Sequence, residues 1–206
     1  EGLPSTFSIF AERRSGLPYS YTFCMQTPDA FGDPNFNSAC SGSDRQLLYV
    51  PTGASDPIVG YDSATTRDNF LNYVGSSDLS DARGTIAERN DYRSPWVTRI
   101  DLRFQQELPG ISDRGRGLVY FDVLNFMNML DPRWGQVEQV EFPFNRALVR
   151  ASRVANGASF GAGGTCTNAN GCWQYSNFSV PALGNSNSDA PRRSLWQLKL
   201  GVRYTF

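Results

Sequence analysis

The closing stretch, Ser194–Phe206, reads SLWQLKLGVRYTF, and its pattern decides the fold class. Trp196, Leu198, Leu200, Val202, Tyr204 and Phe206 are apolar or aromatic at every second position. Gln197, Lys199, Gly201, Arg203 and Thr205 fill the alternate positions, with Leu195 the apolar exception. A side-chain period of two puts these sets on opposite faces of a β-strand. One face is an apolar stripe with aromatics at both ends; the other carries Lys199 and Arg203. Strands of transmembrane β-barrels alternate in this way between aromatic girdles. Amphipathic strands of soluble sandwiches alternate too.

Three further stretches share the pattern. Pro95–Glu107 sets Trp96, Thr98, Ile100, Leu102 and Phe104 against Val97, Arg99, Asp101, Arg103 and Gln105. Leu118–Met129 sets Val119, Phe121 and Val123 against Tyr120 and Asp122, then loses alternation at Asn125–Asn128, which predicts a bulge near a membrane edge. Ser5–Phe23 alternates imperfectly through Gly16-Leu17-Pro18 and is expected as one long, kinked strand. The expected strands lie near residues 5–23, 95–107, 117–129 and 194–206. Crossing segments of about 11–13 residues suffice to span a bilayer at a tilt.

The connections alternate in length. Residues 24–92 and 131–193 are long loop regions, and 108–116 is a short polar turn. Long outer loops and short periplasmic turns give the same alternation, and they place the C-terminus on the periplasmic side. Within the first loop, Gln46–Val50 predicts a short strand and Asp68–Val74 a short helix. Within the second, Trp173–Val180 predicts one arm of an extramembrane hairpin, and Trp173, Tyr175 and Phe178 either pack it or form a contact patch. The fold class expected is all-β: a transmembrane antiparallel β-barrel segment with long extracellular loops. Four strands cannot close a barrel, since single-chain barrels begin at about 8. Open edges in lipid leave backbone groups unpaired. The chain, which starts at Glu1 without Met or a signal-peptide pattern, is therefore expected to be the C-terminal part of a larger barrel.

Composition narrows the function. The 206 residues carry a formal net charge of −1, with basic residues scattered, so no nucleic-acid partner is expected. No run of 18 apolar residues exists to make a transmembrane helix. The count of histidines is 0, which removes Ser-His-Asp, Cys-His and His-ligated metal chemistry together. Cys24 and Cys40 form one local pair, Cys166 and Cys172 another, both in polar surroundings. Disulfides of an oxidising compartment fit them better than zinc, with connectivity left open.

A set of motifs then resembles a family. SGLPYSYTF (15–23), LLYVP (47–51), RGTIAERNDYRSPW (83–96), DLRFQQELPG (101–110), FDVLNFMNMLDPRWG (121–135) and WQLKLGVRYTF (196–206) occur in this order. They resemble the C-terminal strands of Oar-like TonB-dependent outer-membrane receptors, which carry a carboxypeptidase-regulatory-like N-terminal domain. The resemblance implies a barrel of about 22 strands with a plug. It implies TonB-driven transport of peptide or protein cargo, and contacts with outer-membrane lipid. Trp196, Leu198, Leu200, Val202, Tyr204 and Phe206 also resemble the C-terminal signal read by the barrel-assembly machinery. The plug and its TonB contact would lie outside these residues. A secreted soluble β-rich binding module or adhesin is the competing class.

Candidate chemistry is sparse. Family members often carry a DxNxDG-like stretch before the LLYVP-like motif, which suggests calcium. Asp33, Asn35 and Asn37 stand there, but the carboxylates are few and the turn glycine is missing, so an Asx-rich turn is the better reading and no cofactor is expected. Asp101 and Asp122 would lie opposite each other in a hairpin centred near Ser112. Arg99 and Arg103 flank Asp101, which favours a lumen-wall charge network over a catalytic dyad. Gly161–Gly164 lacks the Lys-Ser/Thr of a P-loop, and the Asn177-Phe178-Ser179 sequon is a chance match. The chain is not expected to be an enzyme.

Overall fold

The alternating stretches fold as strands, and the strands sort into two units. The structure, a computed structural model, describes residues 2–25, 46–111, 115–185 and 194–206. In chain order the strands are β1 Ser5–Arg14, β2 Pro18–Met25, β3 Val59–Tyr61, β4 Tyr92–Arg93, β5 Val97–Pro109, β6 Arg116–Leu124, β7 Glu138–Gln139, β8 Asn145–Val154, β9 Cys172–Ser176, β10 Gly184–Asn185 and β11 Gln197–Thr205. The helices are α1, Ala64–Gly75, and the single turn α2, Phe126–Leu130; a 3-10 turn spans Asp78–Ala82. The class is all-β, and the described residues form no closed barrel.

Unit 1 comprises Glu1–Gly16, Ser94–Gln139 and Gly184–Phe206. Its sheet has the order β1-β5-β6-β11, every neighbour antiparallel. Strands thus pair in the order in which the chain makes them. The expected single strand over 5–23 is instead two. β1 stops at Arg14 and β2 starts at Pro18 in a different sheet. Gly16 sits at the break because a Cβ there would meet the Ser94 carbonyl oxygen at 2.3 Å. Pro18 restricts Leu17 to extended backbone as well. The expected bulge at 125–128 is likewise corrected. β6 ends at Leu124, Asn125 takes the left-handed conformation (φ 54°), and α2 follows. Asn tolerates that conformation better than most residues. The 46–50 stretch makes only isolated bridges, Thr22 with Leu47 and Tyr49 with Ile86.

Unit 2 comprises Leu17–Arg93 and Val140–Leu183, drawn from both long loop regions and from the 17–23 stretch expected as part of the first strand. Its sheet has the order β3-β9-β8-β2-β4, with β2–β8 and β3–β9 parallel. The helix expected over 68–74 spans 64–75. Ser63 caps it, its Oγ accepting from the Thr66 N–H at 3.1 Å. Phe70 and Val74 then face the core. Phe70 meets Tyr175 and Phe178 edge-to-face at 5.7 Å each. The Asp56 carboxylate accepts from Tyr49, from Thr52 twice, and from the Ile58 and Val59 N–H groups, which fixes the turn into β3. Burial pushes the Tyr21 and Tyr175 hydroxyls up from the ordinary tyrosine value, and Tyr92 up to about 12. These phenols therefore stay neutral at physiological pH. Cys166 and Cys172 are bridged. Cys24 is disulfide-bonded as well, and Cys40 lies outside the described residues.

Candidate functional site

The four-stranded sheet of unit 1 presents two unlike faces, and the register defines both. On one face Ile9, Leu102, Val123 and Leu198 form a row straight across the strands. The next row is Phe7, Phe104, Phe121 and Leu200, and beyond it Val119 stands beside Val202. The expected stripe residues Leu198, Leu200, Val202 and Tyr204 lie on this face of β11, while Trp196 and Phe206 flank the strand. Much of the face is open: Phe7 is 61% exposed, Leu200 72% and Val202 73%. Fully burying one such side chain is worth about 1.5–3 kcal/mol. A contiguous apolar face of this kind marks an interaction surface.

The opposite face carries the charges. Ser8, Arg103, Asp122 and Lys199 form one row, and Thr6, Gln105, Tyr120 and Gly201 the next. Arg103 donates two parallel bonds to Asp122, Nε to Oδ1 at 2.6 Å and Nη2 to Oδ2 at 2.7 Å. This fork-to-fork geometry is the strong form of an ion pair. The Arg103 guanidinium also lies 5.3 Å from the Tyr120 ring centre. Arg99 donates to Asp101 at 2.8 Å. Asp101 and Asp122 are not opposite each other: the register pairs Asp122 with Arg103, and the partner of Asp101 on β1 is Phe10. The physical reason is that this register aligns the apolar rows and sets opposite charges across from one another.

Asp101 has a second task. Its Oδ1 accepts the Asn125 backbone N–H at 2.7 Å, just where β6 gives way to α2. The Asn125 side chain then donates to the carbonyls of Gly135 and Ser194, at 3.0 and 2.8 Å. Asn128 donates to the carbonyls of Pro132 and Trp134 and accepts from the Trp196 N–H at 3.3 Å. Two asparagines thus tie the 131–136 loop to the start of β11. Sequence reasoning missed both, and the broken alternation at 125–128 was the signal that could have found them.

Asp33, Asn35 and Asn37, the weak calcium candidates, lie outside the described residues. Among the described residues, no three His, Cys, Asp or Glu side chains group as a metal site. No helix there is long and apolar enough to cross a membrane. No family model matches the chain, and neither a curated protein nor a solved structure matches it significantly.

Proposed function

We propose that the chain supplies four neighbouring strands of a TonB-dependent outer-membrane receptor barrel, with residues 17–93 and 140–183 as its outer loops. The apolar face of β1, β5, β6 and β11 meets outer-membrane lipid, and the Arg99, Asp101, Arg103 and Asp122 face meets the lumen. The C-terminus lies on the periplasmic side, and the stripe ending at Phe206 is read by the barrel-assembly machinery. Strands from outside the described residues complete the barrel, and a plug there engages TonB. The cargo is a peptide or protein. The carrying observation is the exposed row of Phe7, Phe104, Phe121 and Leu200, which a soluble protein would cover. Neighbour-to-neighbour antiparallel order supports the reading, as does the lack of a further partner at the outer edges of β1 and β11 among the described residues. Open edges are costly in lipid and are removed by closure.

Fractionation of the producing cells tests this. The chain is expected to sediment with outer membranes, to resist an alkaline carbonate wash and to need detergent for release. Recovery as a monodisperse species without detergent would instead establish the soluble binding module, a reading that the separate core of unit 2 favours.

A further inference from the structure

Within unit 1, the start of β5 and the loop after α2 frame a cleft of about 410 Å³. Trp96 and Trp134 both line it, and they remain 62% and 47% exposed. Met127 adds apolar surface, while Thr98, Gln136 and Glu138 add polar groups. Clefts of about 300–1,000 Å³ with a few placed polar groups are the ordinary form of ligand sites.

Trp134 is half open to solvent, yet its backbone is fixed. Asn128 donates to the carbonyls of Pro132 and Trp134 at 2.9 Å each. The Trp134 N–H donates to the Asp131 carbonyl at 2.9 Å. Asn125 donates to the next carbonyl along, that of Gly135. Gly135 has φ 65°, and a Cβ there would come 2.1 Å from the Asn125 Oδ1, so the loop admits no side chain at this place. Both asparagines are buried. Two buried side chains thus present an indole ring that no core covers. Its backbone loses little freedom when a ligand docks, and covering its apolar face is favourable.

Charge then selects the ligand. Arg133 lines the cleft, but Asp131 meets its charge with bonds at 3.0 and 2.7 Å. Glu138 forms no ion pair among the described residues, which opposes an anion. A cation is opposed as well, since the Arg13 guanidinium already lies 5.3 Å from the Trp96 ring centre. What remains is a neutral ligand with an apolar face and donors at its edge. A pyranose ring has that form. Its C–H face stacks on indole, and its hydroxyls donate outward. The Glu138 carboxylate only accepts. Gln136 Nε2 is taken by the Pro132 carbonyl at 2.6 Å, which leaves its Oε1 to accept.

We propose that this cleft binds a hexopyranose sugar. Trp134 stacks on the C–H face, Trp96 flanks the ring, and Glu138 and Gln136 accept from hydroxyls. The sugar is either the headgroup of a glycolipid or one unit of a soluble glycan. The proposal needs unit 1 alone and stands apart from the membrane reading.

Saturation-transfer NMR and tryptophan fluorescence of the full chain test it, in a sugar-free detergent where detergent is required. The probes are the methyl glycosides of glucose, galactose, mannose and N-acetylglucosamine, with tetramethylammonium and inorganic phosphate beside them. At least one glycoside is expected to bind saturably, with the strongest transfer to the C–H protons of one ring face. Trp134→Ala should weaken it at least about tenfold, and Trp134→Phe should recover part of the loss. Glu138→Ala leaves both rings in place and should weaken it about tenfold, as loss of a charged hydrogen bond implies. Tighter binding of the dodecyl form of the same glycoside in mixed micelles identifies a glycolipid headgroup; equal binding identifies a soluble glycan. No saturable binding of any glycoside, tighter binding of tetramethylammonium or phosphate, or full affinity in either Trp134→Ala or Glu138→Ala would each overturn the proposal.

Discussion

The ring of Tyr120 on β6 rests on Gly201, its cross-strand partner on β11: a Cβ built at Gly201 would come 2.1 Å from the ring Cζ. The absence of a side chain at position 201 is thus what seats Tyr120, and through it the Arg103 guanidinium stacked at 5.3 Å. Gly201→Val is expected to displace the ring and to destabilise the sheet by about 1–3 kcal/mol, the usual cost of overpacking. Equilibrium urea unfolding checks this, and Tyr120→Ala in the same chain should restore part of the loss.

Leu200 gives the sharpest separation between the membrane and soluble readings. It lies mid-strand, beside Phe121, and is 72% exposed. Arginine on the lipid face of a barrel at mid-depth costs about 2–4 kcal/mol. Leu200→Arg should therefore impair assembly and lower the amount recovered from outer membranes. In a water-soluble protein the same change at so open a position would be close to neutral.

Asp101→Asn removes the charge that receives Arg99 and weakens the acceptor of the Asn125 N–H. A stability loss of about 1–3 kcal/mol is expected. Faster amide exchange at Asn125 and in α2 should accompany it. No turnover should depend on this residue; a hydrolase activity lost in the variant would argue for the dyad instead.

Outside the strands, Asp131 is held by Arg133. Side-chain bonds from Arg133, then its backbone N–H, bring the Asp131 carboxyl down to about 2 from 3.8. A carboxyl depressed on folding contributes above its ordinary value, and the contribution fades as pH falls from 3.8 towards 2. Carboxyl titration by NMR should show the low midpoint, and Arg133→Gln should return it towards 3.8.

The strands of unit 1 were legible because period-two alternation is strong over Trp196–Phe206 and Trp96–Phe104, and it fixes which residues share a face. The register was not legible. Placing Asp122 against Arg103 rather than Asp101 depends on how the turn closes, and a shift of two residues preserves every face assignment. Unit 2 was largely hidden. β8 reads NRALVRASRV, whose alternation is interrupted by the bulged Leu148. Its partner β2 lies far off in the chain, so local pattern carries no sign of the pairing. α1 was visible as a helix but too short, since Ala64–Arg67 add polar residues before the apolar periodicity begins.

That distant pairing ties the fate of two insertions together. Cys24 and Val149 are 125 residues apart, yet they sit in adjoining strands that run the same way. Neither segment of unit 2 holds a complete sheet: β2, β3 and β4 come from Leu17–Arg93, β8 and β9 from Val140–Leu183. Transplanting one of them onto a foreign scaffold would deliver half a domain. In grafts, and in the divergence of related chains, the two must travel as a matched couple.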